Sequence, residues 1–349
     1  MSSEFREFLK KVGSGQHTSK GLTRQESAAA LKMMLDGVAT PAQIGAFLIS
    51  QRIKRPTGIE IAGMLDVYDQ RSTKLDPIAP DKTVFVLGIP YDGRTKSAPV
   101  SPIVALFLKT AGIPVVMHGG DRLPTKYGLP LIEIWQALDL DFQPLSRDQL
   151  QNYFAQQEFA LCYTPTLLPD STNLTSYREE LGKRPPIATL ELVWSPYGGT
   201  NAHTIAGYVH PPTESIIREA LMERGNKPYT LVKGLEGSGD LRISQTTIVV
   251  TNQTSIDTEI KYLKPNPYDH NLGGEDIHLK SPEDYAAQLQ ALIAGEENAL
   301  FNTAIWNGGF YLWHCGAVDT VEAGIAQSKE WLRSGKLQQT LDTLKAALG

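Results

Sequence analysis

The chain predicts an α/β fold: a small all-helical N-terminal domain plus a large domain with a mostly parallel sheet flanked by helices. Three observations predict it. Three helix-capping signatures follow one another within the first 75 residues, with no strand-like run between them. From Thr83 onward, short β-rich runs alternate with helical patterns. Two glycine-containing turns each close an apolar run, and they stand at the carboxyl ends of predicted strands, the edge where open α/β sheets bind ligands.

In order along the chain, Thr23 is followed by Glu26, Thr40 by Gln43 and Thr57 by Glu60. In such a box a hydroxyl and a side-chain acceptor satisfy free N–H groups at a helix start. Pro41 at the first helical position strengthens the second box. Ala-, Leu- and Met-rich segments at helical spacing follow, such as Ala28 to Leu35 and Ile44 to Ile53. The expected strands are 84–87, 115–117, 159–163, 204–209, 230–233 and 247–251, with helical patterns near 102–111, 129–138 and 214–224. Strands separated by crossover helices imply a parallel, covered sheet. Residues 167–184 carry Pro, Asn and a short helical turn, and are expected to leave the sheet domain and pack on the helical one. Residues 261–274 are rich in Pro, Asn and Gly and are expected to form a surface loop. Ser281 and the Asp319–Glu322 segment start the C-terminal helices. The division expected is 1–80 helical, with 167–184 packing on it, and 81–349 α/β.

Composition narrows the function classes. The 349 residues are 41% hydrophobic and 20% charged, with a net charge of −5, which gives no global attraction to nucleic acid. No apolar stretch approaches the roughly 18 residues of a membrane span. Cys162 and Cys315 lie far apart without a metal or redox spacing, and Met1 to Lys11 lacks a signal-peptide core. A cytoplasmic setting is expected.

The first turn runs Val84-Phe85-Val86-Leu87-Gly88-Ile89-Pro90-Tyr91-Asp92-Gly93-Arg94-Thr95-Lys96. It has two readings: a plain strand exit with an Asx turn, or a phosphate or ribose loop with Arg94 and Lys96 as anion partners. The second turn, Val115-Val116-Met117-His118-Gly119-Gly120-Asp121-Arg122, closes at Lys126-Tyr127-Gly128. Its His118 is either a satisfied polar residue or a ligand contact, and Arg122 and Lys126 either face the first loop or are solvated. Glu236 and Asp240 flank Gly237-Ser238-Gly239. They form either a solvated turn or a pair that holds Mg²⁺ through water. The other histidines have no ligand spacing with one another.

The stretch Leu22-Thr23-Arg24-Gln25-Glu26 through Ala39-Thr40-Pro41-Ala42-Gln43-Ile44-Gly45-Ala46-Phe47-Leu48 to Arg52-Ile53-Lys54 resembles the helical domain of anthranilate phosphoribosyltransferase. The resemblance continues through both turns, through Tyr177-Arg178-Glu179-Glu180-Leu181-Gly182-Lys183-Arg184, and to Asn307-Gly308-Gly309. It implies a pentosyltransferase whose donor loop contains Gly88, Asp92 and Gly93, with Ser101 meeting phosphate and Lys126 matching a downstream lysine. It places His118, Gly119 and Arg178 on the acceptor side. It implies Mg²⁺, for which Glu236 and Asp240 are approximate stand-ins, a homodimer through the N-terminal helices, and a small phosphorylated or nucleoside-type ligand. The chain also departs from the pattern. Pro90 and Tyr91 replace loop glycines, Met117 a lysine, Asp121 an arginine and Ala98 an asparagine, while Leu168 and Asn173 stand where histidines are frequent. These departures resemble a divergent branch, some members of which are associated with nucleic acid. Two expectations follow: an altered (phospho)ribosyl transfer with little standard anthranilate turnover, and, as the alternative, a nucleic-acid-binding relative. The alternative would use Arg94, Lys96, Arg122 and Lys126, with Lys329, Arg333, Lys336 and Lys345.

Overall fold

The computed structural model describes residues 3–15, 17–252 and 259–349. Its first four helices are α1 (Ser3–Val12), α2 (Arg24–Leu35), α3 (Pro41–Lys54) and α4 (Gly58–Arg71). All three expected capping boxes close reciprocally at the starts of α2, α3 and α4. The helices bury a shared apolar face in which the Phe5 ring lies 5.5 Å from that of Phe47, with Met34, Leu35, Ile61 and Leu65 around it. Gly63 permits α2 and α4 to cross closely, since a Cβ there would lie 2.1 Å from the Arg24 carbonyl oxygen.

Next come β1 (Val84–Gly88), α5 (Ser101–Thr110), β2 (Val115–Gly119), α6 (Leu131–Ala137), α7 (Arg147–Gln157) and β3 (Phe159–Tyr163). They are followed by α8 (Thr164–Leu167), α9 (Thr175–Leu181), α10 (Ile187–Val193), β4 (Ala202–Gly207), α11 (Pro211–Glu223), β5 (Tyr229–Val232), β6 (Val249–Asn252) and β7 (Lys261–Leu263). Helices α12 (Pro282–Ile293), α13 (Phe301–His314), α14 (Val321–Arg333) and α15 (Lys336–Leu348) complete the chain. The sheet order is β3-β2-β1-β4-β5-β6-β7. The first five strands are parallel, and β6 and β7 are antiparallel additions at one edge. β1 to β5 are almost entirely buried because helices cover both faces.

Two expectations need correction. Residues 261–274 are not loop throughout: Lys261–Leu263 pairs with β6 as an edge strand, and its exposed side chains hid the pattern that marks a buried strand. The last helical stretch is also two helices, because Gly335 adopts a left-handed φ of 73° and separates α14 from α15. The segment from α8 to α9 packs on α2 and α3. There Asn173 Nδ2 donates to the Leu35 carbonyl (3.1 Å) and Arg71 holds Asp170 at 2.9 Å.

Helix α4 ties the helical bundle to the sheet. Asp66 lies between Arg24 (2.6 Å) and Arg224 (3.0 Å), and the Gly58 N–H donates to Glu219 of α11 at 2.7 Å. Glu60 is the internal anchor of the bundle. It accepts from the Leu22 N–H (2.9 Å), Gln51 Nε2 (2.9 Å), the Thr57 N–H (2.7 Å) and Lys54 Nζ (2.7 Å). Burial pushes its pKa up, but Lys54 and these hydrogen bonds outweigh burial and hold it below the usual carboxylate value. Glu60→Ala leaves Lys54 and several N–H groups without their acceptor, and is expected to cost about 3–5 kcal/mol in urea unfolding. A loss under about 1 kcal/mol would mean that Glu60 is a bystander.

Candidate functional site

The carboxyl ends of β1, β2, β4 and β5 form one edge, and the loops that leave them meet there. Gly88 ends β1 against α10, where a Cβ would lie 1.8 Å from the Leu192 carbonyl oxygen. Its glycine is required by this backbone contact. Gly93 turns with φ 74° against Gly128. The Arg94 N–H donates to Leu129 O (3.0 Å) and the Leu129 N–H to Arg94 O (2.8 Å), so the two glycine turns are hydrogen-bonded to each other. At the far side Gly207 lets the loop after β5 approach, because a Cβ there would lie 2.1 Å from Ser238 O. About 10 Å³ of space remains beside Gly88, Ser101 and Asp240, which is room for one water.

The donor-side residues come together, and they meet acids of this chain. Arg94 is 3% exposed; its Nη1 donates to Asp240 Oδ2 (2.6 Å) and Ser238 Oγ (2.8 Å), and its Nη2 to Ser97 Oγ (2.7 Å). Asp240 also accepts from the Val100 N–H (3.0 Å) and from the Ser101 hydroxyl. Glu236 Oε1 accepts from the N–H groups of Lys96 and Ser97 (2.9 Å each) and from Ser97 Oγ (3.0 Å). Its Oε2 accepts from the Thr95 N–H (3.3 Å), Thr95 Oγ1 (3.2 Å) and Lys126 Nζ (3.2 Å). Burial opposes the charge on Glu236, but the Ser97 and Lys96 N–H groups, Arg94 and Lys126 outweigh it and hold its pKa far below the carboxylate range. The Lys96 side chain itself is exposed.

These contacts bear on whether the pair fits Mg²⁺. Every carboxylate oxygen of Glu236 and Asp240 faces N–H or O–H donors or a cation. Among the described residues, no group of three His, Cys, Asp or Glu could hold a metal ion. The pair therefore does not fit Mg²⁺ in this arrangement.

Arg178 and His118, which the resemblance implies for the acceptor side, are buried in a second cluster apart from Arg94, and Asp92 of the expected donor loop lies with them and not with Arg94. Arg178 and Glu191 are both buried and paired through Nη2 and Oε1, leaving Arg178 Nη1 and Glu191 Oε2 without hydrogen bonds. Burial raises the Glu191 pKa, with Arg178 and Arg184 opposing it. Asp92 is 1% exposed, no hydrogen-bond donor reaches either of its oxygens, and its nearest cation is Arg184 Nε at 3.5 Å. His118 lies inside β2, not in the turn after it, as does Gly119. Its Nδ1 bonds the Tyr91 hydroxyl, to which Thr164 Oγ1 also donates at 3.1 Å. The Trp194 ring stands edge-on to His118 at 5.7 Å. Tyr91 is thus turned inward as a hydrogen-bond partner, and its ring fills the space beneath the loop.

The open space lies between the two domains. A groove of about 480 Å³ is lined by Arg52 and Arg55 at the end of α3, Arg184 and Leu192 around α10, Tyr208 and His210 after β4, Ile216, and Gly237. Among the described residues, no carboxylate pairs with Arg52 or Arg55 within 4.0 Å. Sequence reasoning missed Glu191, Arg184, Arg55 and the inward role of Tyr91. The usable signal was Glu191 itself, a single charge in the apolar run Ile187–Val193.

Residues 6–72 match the model of the glycosyl transferase family helical bundle domain, and residues 92–338 match that of the glycosyl transferase family a/b domain. The chain belongs to the glycosyl transferase family. Within it the chain is anthranilate phosphoribosyltransferase-like. It is 28% identical to the anthranilate phosphoribosyltransferase of Rhodopseudomonas palustris (strain BisB18), over 99% of each chain. The anthranilate phosphoribosyltransferase of Thermus thermophilus shares its fold with a TM-score of 0.79 at 20% identity, covering 99% of both chains. The Saccharomyces cerevisiae enzyme, solved in complex with PRPP and Mg, superposes with a TM-score of 0.81 at 16% identity, covering 100% of this chain and 98% of that one. These relatives are enzymes of phosphoribosyl transfer. No described helix of this family member is long and apolar enough to cross a membrane.

Burial in this fold has a pH consequence. Burial pushes His118 and His203 down to about 3 and His314 to about 4. In the unfolded chain each would titrate near the ordinary value of about 6.5. Stability is therefore whole above pH ~6.5 and falls as pH drops towards the folded values, each histidine contributing up to about 1.4 kcal/mol per pH unit. Urea midpoints measured from pH 7 to pH 5 should decline. Midpoints that stay level would mean that these histidines take up protons in the folded state.

Proposed function

We propose that this family member is a pentosyltransferase-fold protein for a small phosphorylated or nucleoside-type ligand. It moves a (phospho)ribosyl group to or from a nitrogen acceptor, and it does not perform standard transfer from phosphoribosyl pyrophosphate to anthranilate. The observation that carries this reading is the buried Arg178–Glu191 pair. The family resemblance assigns Arg178 to the aromatic acceptor, and here a carboxylate of the chain already meets it. An incoming aromatic acid would bring its own negative charge beside Glu191 and Asp92. Two like charges about 4 Å apart repel by about 4 kcal/mol at an effective dielectric of about 20, close to a thousandfold in affinity. A neutral heterocycle with ring N–H and carbonyl groups meets no such penalty, and Asp92, Glu191, Arg178 and Arg184 offer it acceptors and donors together.

Residues 1–80, with 167–184 packed on them, supply one wall of the interdomain groove, and residues 81–349 supply the other. The groove takes the phosphorylated end of the ligand beside Arg52, Arg55 and Arg184. Homodimerisation through the helical domain is part of the proposal, supported by the exposed Val38 and Ile53. The second reading, a non-enzymatic nucleic-acid-binding relative, has the same open cationic groove in its favour. Against it, Arg122 is held by Glu133, Arg333 by Glu297, Lys345 by Asp139, Lys126 by Glu236 and Arg94 by Asp240.

Turnover of anthranilate with phosphoribosyl pyrophosphate and Mg²⁺ is expected to fall at least about 1,000-fold below that of an active relative assayed beside it. Comparable turnover would overturn the reading. A thermal-shift screen of phosphoribosyl pyrophosphate with Mg²⁺, nucleosides with phosphate, and short DNA separates the two readings by mass action. Stabilisation by nucleosides supports the pentosyltransferase reading, and stabilisation by DNA alone supports the other.

A further inference from the structure

The Glu236 carboxylate sits inside a ring of hydrogen-bond donors. Three successive backbone N–H groups, of Thr95, Lys96 and Ser97, converge on it from the loop before α5. Two hydroxyls, Thr95 Oγ1 and Ser97 Oγ, and Lys126 Nζ complete the ring of donors. Arg94 Nε, which has no hydrogen-bond acceptor, stands 3.5 Å from Oε1. Consecutive N–H groups facing one point form a nest, and nests bind phosphates and other anions. A carboxylate has two acceptor oxygens and one charge; the donors gathered here suit a larger, more highly charged oxyanion.

The backbone is shaped to deliver this side chain. Glu236 adopts φ 51° and ψ 22°, the left-handed region that a glutamate rarely enters, and Gly237 follows with φ 82°. Such a conformation persists only where the surroundings hold it. The loop after β5 is further pinned by Ser238 and Asp240 on Arg94. Gly237 also lines the interdomain groove, so the groove and the nest are separated by a single residue.

We infer that Glu236 is a built-in anion that occupies a phosphate-binding nest, and that the nest accepts a free phosphoryl group, inorganic phosphate being the simplest, only when this side chain is withdrawn. The carboxylate that a metal-dependent donor site would use to hold Mg²⁺ stands in for the donor's phosphate instead. The inference deepens the proposed function on the donor side and rests on it for the class of ligand. Its test uses no acceptor, so its outcome is independent of the Arg178–Glu191 pair.

The experiment compares the full-length wild type with Glu236→Ala by thermal shift and calorimetry, titrating inorganic phosphate and, separately, pyrophosphate, with sodium chloride at matched ionic strength as control. Glu236→Ala is expected to melt below the wild type and to regain several degrees with millimolar phosphate. Its phosphate affinity should exceed that of the wild type at least tenfold, and Lys126→Ala added to it should reduce that gain severalfold. If Glu236→Ala does not fold, Glu236→Gly, which removes the side chain and suits the left-handed φ of 51°, should show the phosphate response in the same direction. Two results would overturn the inference. One is a destabilised variant that phosphate does not rescue beyond the chloride control, which would make Glu236 a loop staple. The other is a wild type that binds phosphate as tightly as the variant.

Discussion

Neutralisation of buried charge by the chain's own acids is the constraint on which the rest of this molecule depends. Arg94 is carried inward by the turn after β1, and a guanidinium at that depth is tolerable only with an anionic partner. Asp240 supplies it at 2.6 Å, and the loop after β5 must come in to place it there. Gly207 permits that approach because a Cβ there would strike the Ser238 backbone. Once the loop is in, Glu236 reaches the N–H groups of Thr95 to Ser97, and the ends of the parallel strands are closed over.

The second buried cluster repeats the theme with a different chemistry. Arg178 and Glu191 pair without solvent, and Asp92 balances Arg184 at longer range. His118 remains neutral, bonded to the Tyr91 hydroxyl and held between aromatic rings. Polar atoms without hydrogen bonds gather here: Asp92, Glu191 Oε2, Arg178 Nη1, Arg184 Nε and His118 Nε2. Buried polar groups are normally satisfied. Such a concentration supports the proposed function, in which a neutral heterocycle meets these groups.

Much of the fold was legible locally. A capping box needs only a hydroxyl and an acceptor three residues apart, and all three closed as expected. The buried strands announced themselves as short apolar runs, whereas Lys261–Leu263 did not, because an exposed edge strand carries no apolar signature. In the site, the positions of the two turns were readable and their partners were not. Gly88 looked like a phosphate glycine, yet it is required by the Leu192 carbonyl. Glu191 was hidden in an apolar helix and meets Arg178 only through folding.

What the sequence by itself determined is everything set by spacing along the chain: helix starts, strand order of hydrophobic runs, the glycine turns, and the family to which they belong. What only the tertiary structure decided is which charges meet. Arg94, Asp240, Glu236 and Lys126 are spread over more than a hundred residues, and Coulomb energy depends on distance in space and on the surrounding dielectric. A carboxylate written as a metal ligand becomes an internal anion once three N–H groups are folded around it.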